Sequence, residues 1–265
     1  MNTLLEKMFE YSKTQPKKLV IVDKKKATDY LTFAKCVYGF CLYLQSAGFT
    51  KGDCIIVRSS HSMEYLAAQM GMQLAGVNFV PVEKIAPDER VQEIIDDTCA
   101  KWFMSDKESK VTVPFVSLSI VSEKMLEGDI PYGDIIFPDP EDTAEILYST
   151  GTTGKSKGIV MSHRANLSLA GNICTGLEMK KDNVELIPGP LNHSNALRRY
   201  YGNIQNGSTV VLLDGVIFVN QLYQMLDQYR VTAIALVPAM LAIIFKLSGD
   251  KLAEGPVGLC TNWVL

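Results

Sequence analysis

The sequence predicts an α/β fold of layered, largely parallel sheets flanked by helices, on three observations. Short apolar runs recur along the chain, each ended by Gly, Pro or a polar cluster. Longer stretches with helical apolar spacing separate them. The 265 residues are 47% hydrophobic and 21% charged, a globular composition, and a chain of that length buries a core without staples. Strands that alternate with helices pair in parallel and are covered on both faces, so they appear as continuous apolar runs.

Residues 18–22 (KLVIV) read as the first strand. Thr32 then caps a helix whose apolar face runs Phe33, Val37, Phe40, Cys41 and Leu44, and Gly48 stops it. Residues 54–57 (CIIV) are the next strand, a helix spans 63–74 and ends at Gly76, and 77–82 (VNFVPV) is strand-like. Pro87 opens a helix with Val91, Ile94 and Ile95 inward, and 102–104 is a short strand. From 105 to 140 the pattern is less regular, and residues 128–142, with Pro131, Pro138 and Pro140, read as a connecting segment. Strands follow at 144–148 and 159–161 with a Gly/Thr loop between them, then a helix from 164 to 174. Residues 184–187, 209–213 and 232–237 are further strands, while 218–229 and 239–247 are helical. The expected division is a first α/β subdomain over 1–130, a second over 131–254 and a tail over 255–265.

Charge and cysteine content narrow the function classes. Lys and Arg number 26 against 29 Asp and Glu, a net charge of −3, which leaves no electrostatic footprint for nucleic acid. The lysine-rich stretch through Lys24, Lys25 and Lys26 reads as a solvated face. Cys36, Cys41, Cys54, Cys99, Cys174 and Cys260 form no CxxC pair and no zinc spacing. Reduced, buried thiols are expected, which suits a cytoplasmic location. Glu6, Lys7 and Glu10 interrupt any signal-peptide core, and the uncharged stretch 231–245 falls short of the roughly 18–20 residues of a membrane span. His61 and His163 have no evident partners and are expected to be structural.

One segment stands apart, Ser149-Thr150-Gly151-Thr152-Thr153-Gly154-Lys155-Ser156-Lys157-Gly158. Glycines let backbone N–H groups approach an anion, hydroxyls add directional donors or ligate a magnesium ion on a phosphate, and lysines add charge-assisted contacts. A rival is the Walker-type loop, G-x-x-x-x-G-K-[ST]. Gly154-Lys155-Ser156 fits its end, but its first glycine would fall on Ser149. A helix would also have to start at Lys155, where the sequence continues into β-favouring Gly158-Ile159-Val160-Met161. Residues 209–214 (TVVLLD) imitate a Walker B strand and keep that rival open. A strand at 158–162 would exclude it.

Residues 148–158 (YSTGTTGKSKG) closely resemble the phosphate-loop signature of the adenylate-forming superfamily, which includes acyl- and aryl-CoA synthetases, peptide-synthetase adenylation domains and luciferases. The family form is roughly S/T-S-G-T-T-G-x-P-K-G, and Ser156 stands where Pro is usual. Ser162-His163-Arg164-Ala165-Asn166 resembles the segment after the signature, Pro190-Leu191-Asn192-His193 the P-L-x-H element, and Val237-Pro238-Ala239-Met240-Leu241 the V-P-x-x-L stretch. The fold implied is the N-terminal part of the adenylate-forming fold.

The resemblance implies that ATP and Mg2+ activate a carboxylic acid as its acyl-adenylate, and that a thiol, coenzyme A or a carrier protein, then takes the acyl group. By motif position Thr150, Gly151, Thr152, Thr153, Gly154 and Lys157 would hold the ATP phosphates, with Lys157 as a pyrophosphate partner. His193 would lie beside the acyl pocket. An acyl-CoA synthetase of, for example, fatty-acid metabolism is the leading expectation. A carrier-loading adenylation enzyme and a non-catalytic nucleotide-binding fragment are the alternatives. The family's Y-G-x-T-E element, its ribose-holding Asp and its C-terminal domain find no match, so residues 1–265 alone are expected to lack full ligase activity, with 255–265 a truncation tail.

Overall fold

The structure is a computed structural model that describes residues 1–149, 157–248 and 262–264. Its strands form two six-stranded sheets. The first contains β1 (Leu19–Val22), β2 (Ala27–Asp29), β9 (Val184–Ile187), β10 (Thr209–Leu212), β11 (Ala233–Ala235) and β12 (Asn262–Val264), in the order β12-β11-β9-β10-β1-β2. The second contains β3 (Cys54–Arg58), β4 (Asn78–Val82), β5 (Trp102–Ser105), β6 (Phe115–Ser117), β7 (Thr143–Ser149) and β8 (Lys157–Ser162), in the order β6-β5-β3-β4-β7-β8. Neighbours pair in parallel except at one edge of each sheet, where β1–β2 and β7–β8 are antiparallel. Each sheet takes strands from both sides of residue 130, and the segment 255–265 contributes β12.

The helices are α1 (Leu4–Thr14), α2 (Tyr30–Ser46), α3 (Met63–Leu74), α4 (Asp88–Thr98), α5 (Ile120–Glu123), α6 (His163–Gly176), α7 (Ser194–Asn206), α8 (Val219–Gln228) and α9 (Pro238–Ser248). Strand alternation explains their layering. Ile55 and Val57 of β3, with Ile21 of β1 and Val210 of β10, face a central core shared with α1, α2, α3 and α7. Cys54 and Ile56 point the other way, onto Val91, Ile94 and Ile95 of α4. Val22 and Val211 turn outward onto Leu222 and Leu226 of α8 and Ile244 of α9. Helix α3 lies between the sheets with every residue buried, which is why it is apolar or small on nearly all sides.

Several expectations need correcting. Asp29, not Thr32, caps α2: its Oδ1 accepts the Thr32 N–H at 2.7 Å. Cys36, Cys41 and Cys54 are buried, but Cys99 is exposed in a left-handed conformation after α4, and Cys174 is half-buried. His61 has partners after all, described below. The structure also adds α1, β2, β6 and α5, which the sequence reading passed over. Strand β8 follows the Gly/Thr loop directly and pairs with β7, so a Walker-type strand–loop–helix is excluded. Among the described residues no helix is long and apolar enough to cross a membrane.

Candidate functional site

The Gly/Thr loop joins β7 to β8 at the carboxyl end of the second sheet's parallel strands, the end where open α/β sheets bind ligands. Thr150, Gly151, Thr152, Thr153 and Gly154 lie outside the described residues. Lys157 is the exposed first residue of β8. Gly158, opposite Tyr148, is there for space: a Cβ would stand 2.9 Å from Ile146 Cγ2 and 3.1 Å from Tyr148 Cζ. Tyr148 is held over this glycine from α4. Its hydroxyl donates to Asp97, and the Arg90 guanidinium sits 5.8 Å from its ring centroid. Burial, with the Asp97 carboxylate, raises the phenol pKa and keeps it a donor.

A cavity of about 220 Å3 opens at the carboxyl ends of β9 and β11. Ile187, Gly189, Pro190, Ala235, Leu236 and Val237 line it from the strand ends, His193, Asn195, Ala196 and Arg199 from α7, and Met240 from α9. It is mostly apolar and smaller than the roughly 300–1,000 Å3 typical of ligand pockets. His193 takes the N-cap position of α7 at φ −92° and ψ 140°, yet its side chain makes no capping bond. The first-turn amides of α7 therefore have no side-chain cap, and the positive end of the helix dipole lies in the cavity wall. That is a favourable place for a carboxylate.

Behind this wall lies a buried polar network. Arg199 Nε donates to Glu185 Oε1, and Asn203 Nδ2 donates to Glu185 Oε2 at 2.6 Å. Asn183 Nδ2 reaches Asn203 Oδ1 at 3.0 Å. Arg199 and Glu185 are both almost fully buried. Burial raises the Glu185 pKa, while Arg199 and Asn203 pull it back. The arginine in the wall is thus charge-matched from behind.

The structure places His193 in the cavity but not Lys157, which belongs to the hairpin. Tyr148 and Gly158 belong to the loop signature, Arg199 is buried rather than at the surface, and Glu185 behind it is a residue the sequence reading missed. The Walker B-like Asp214 pairs with Lys84, and its Oδ1 lies 3.4 Å from His61 Nδ1. His61 Nε2 meets the Gly189 carbonyl at 2.8 Å, so this histidine braces the cavity wall. His163 is buried at the start of α6.

A family model described as "AMP-binding enzyme" matches residues 8–257. The L-proline--[L-prolyl-carrier protein] ligase of Pseudomonas fluorescens is 24% identical over 268 residues, covering 96% of this chain and 54% of that protein. A probable CoA ligase of Humulus lupulus is 25% identical over 242 residues, covering 82% of this chain and 44% of its own length. The chain thus spans about half of these relatives. Among solved structures, the Bacillus subtilis O-succinylbenzoate coenzyme A synthetase in complex with AMP superimposes with a TM-score of 0.83 at 18% identity, over 97% of this chain and 66% of that one. The Klebsiella oxytoca NpsA N-terminal subdomain in complex with 3-hydroxybenzoyl-AMSN gives 0.82, also at 18% identity, over 95% and 64%. At such identities the superpositions show the shared fold, of two mostly parallel sheets between helical layers. Because the family model matches residues 8–257 of its 265, this chain belongs to the AMP-binding enzyme family of adenylate-forming proteins.

Proposed function

We propose that this chain supplies the nucleotide-phosphate and acid sites of an ATP-dependent ligase that makes an acyl-adenylate and then an acyl-CoA thioester. The observation behind this reading is the apolar cavity with the uncapped start of α7 and His193 in its wall, on the chain that holds the Gly/Thr hairpin. In this reading Thr150, Gly151, Thr152, Thr153, Gly154 and Lys157 hold the ATP phosphates through amides, hydroxyls and an ammonium. The acid's tail enters the cavity, and its carboxylate rests near His193 and the first turn of α7. Small size and apolar walls suit a compact hydrocarbon tail.

One carboxylate oxygen attacks the α-phosphorus, a P–O bond forms, the bond to the bridging oxygen breaks and pyrophosphate leaves. The thiolate of coenzyme A then attacks the acyl carbonyl and AMP departs with the shared oxygen. The protein's part is positioning and charge neutralisation. Magnesium would be held by the phosphates together with the hydroxyls of Thr150, Thr152 and Thr153. It would neutralise charge on the departing pyrophosphate.

The test is pyrophosphate exchange and thiol capture by the intact protein, with straight-chain acids of increasing length, ATP and magnesium. Coenzyme A and a phosphopantetheinylated carrier protein serve as competing acceptors. Acid-dependent exchange followed by acyl-CoA is the expected result. Acyl transfer to the carrier alone would replace coenzyme A as acceptor. ATP binding that is indifferent to Thr152→Ala and Thr153→Ala would sink the loop assignment.

A further inference from the structure

Strand β7 runs directly into the phosphate-loop hairpin, and one of its residues is a fully buried carboxyl, Glu145, 1% exposed. Tyr201 of α7 donates its hydroxyl hydrogen to Glu145 Oε2. Gln69 Nε2 of α3 reaches the same oxygen at 3.3 Å and also donates to the Tyr201 hydroxyl. Asn166 of α6 lines the same small hollow as the carboxyl. Four elements from both sides of the central core therefore meet around one side chain.

Helix α7 has two working faces. Ala196 and Arg199 line the apolar cavity, whereas Leu197, Arg198 and Tyr201 face Glu145 across a hollow of about 10 Å3, with room for at most one water. That hollow is also lined by Leu147 of β7 and Met161 of β8. Apolar packing is non-directional, while hydrogen bonds to a buried carboxyl specify distance and direction.

We infer that Glu145 is a positioning residue: its bonds to Tyr201 and Gln69 set where the hairpin stands against α7, and so how the acid is aligned with the nucleotide. This rests on the assignment of the hairpin and cavity proposed above. Joining two reactants is sensitive to such alignment, since a misplacement of about 1 Å costs about 100-fold.

The experiment is titration calorimetry on the intact protein with two probes. AMP occupies the nucleotide site alone. Acyl-sulfamoyl adenosines, from acetyl to octanoyl, span both sites, and the tightest is used. The variants are Glu145→Met, Tyr201→Phe and the double substitution. Each single variant is expected to bind the spanning probe about 10- to 100-fold more weakly, with AMP affinity within about twofold. The double variant should lose no more than the worse single, because one bond is broken twice. Parallel weakening of both probes would mark a merely structural role and overturn the inference, as would undiminished binding of the spanning probe. If the wild type binds neither probe, the site assignment itself falls and takes this inference with it. If it binds both and the variants match it, only the inference falls.

Discussion

His163 and Glu145 are both buried, and burial moves their protonation in opposite senses. His163 is pushed down to about 4, against the pull of Asp142. Glu145 is pushed up to about 7, against the donors Tyr201 and Gln69 and the charge of Arg198. The unfolded histidine takes a proton below its ordinary 6.5, while the folded one refuses it until about 4, so this group removes stability as pH falls from 6.5. The unfolded glutamate ionises above its ordinary 4.5, while the folded one holds its proton to about 7, so that group removes stability as pH rises from 4.5. Between pH 5 and 7 each effect amounts to about 2 kcal/mol, and they oppose. Urea unfolding of His163→Gln should therefore show higher stability at pH 5 than at pH 7, and Glu145→Gln the reverse. Slopes of the same sign in both variants would refute the assignment. Neither environment can be read from the sequence. His163 follows a strand like many surface residues, and Glu145 stands amid apolar neighbours with its partners 56 and 76 positions away.

Elements were legible where local pattern decides them. The apolar runs of β3 and β9 and the helical spacing of α3 need no tertiary information, and they stand within a residue of their expected bounds. The strand after the Gly/Thr loop was legible because Ile159, Val160 and Met161 favour β structure, and it stands as β8 paired with β7. Strand β2 was not, since three residues on a sheet edge leave no periodic signal. Helix α1 was missed for another reason: Glu6, Lys7 and Glu10 look like breaks in an apolar run, yet they are the half-buried outer positions of a helix that buries Leu5, Met8 and Phe9. The signal was a T-x-x-E capping box. Thr3 Oγ1 accepts the Glu6 N–H at 3.2 Å, and Glu6 Oε2 accepts the Thr3 N–H at 2.8 Å. Helix α1 in turn supports the end of α7, where the ring of Tyr11 lies so close to Gly207 that a Cβ would stand 2.7 Å from it. Thr3→Ala should cost about 1 kcal/mol with an unchanged denaturant slope. A change below a few tenths would show that α1 is held by packing alone.

At the scale of the molecule, the two sheets are tied across the helical layer by side chains beyond their strand ends. Lys26, between β1 and β2, pairs with Glu64 of α3 at 2.8 Å, and Asp23 Oδ2 accepts the Met63 N–H at 2.8 Å. Lys84, after β4, meets Asp214, after β10. His61, after β3, reaches Gly189, after β9. These ties differ in worth. Lys84 and Asp214 are solvated, and such pairs contribute about 0–1 kcal/mol. His61 is largely buried, and burial lowers its pKa, so it is neutral at pH 7. Because the Gly189 carbonyl can only accept, the ring proton sits on Nε2 and points into the cavity wall. Removing that donor strands a carbonyl in the cavity wall, at a cost of about 1–3 kcal/mol. His61→Ala should thus speed hydrogen exchange through residues 187–193 and lower the unfolding midpoint, while Lys84→Ala leaves both nearly unchanged. Equal effects from the two variants would mean that the sheets are joined by the helical core, with the strand-end ties as passengers. The cavity's shape would then owe nothing to the second sheet.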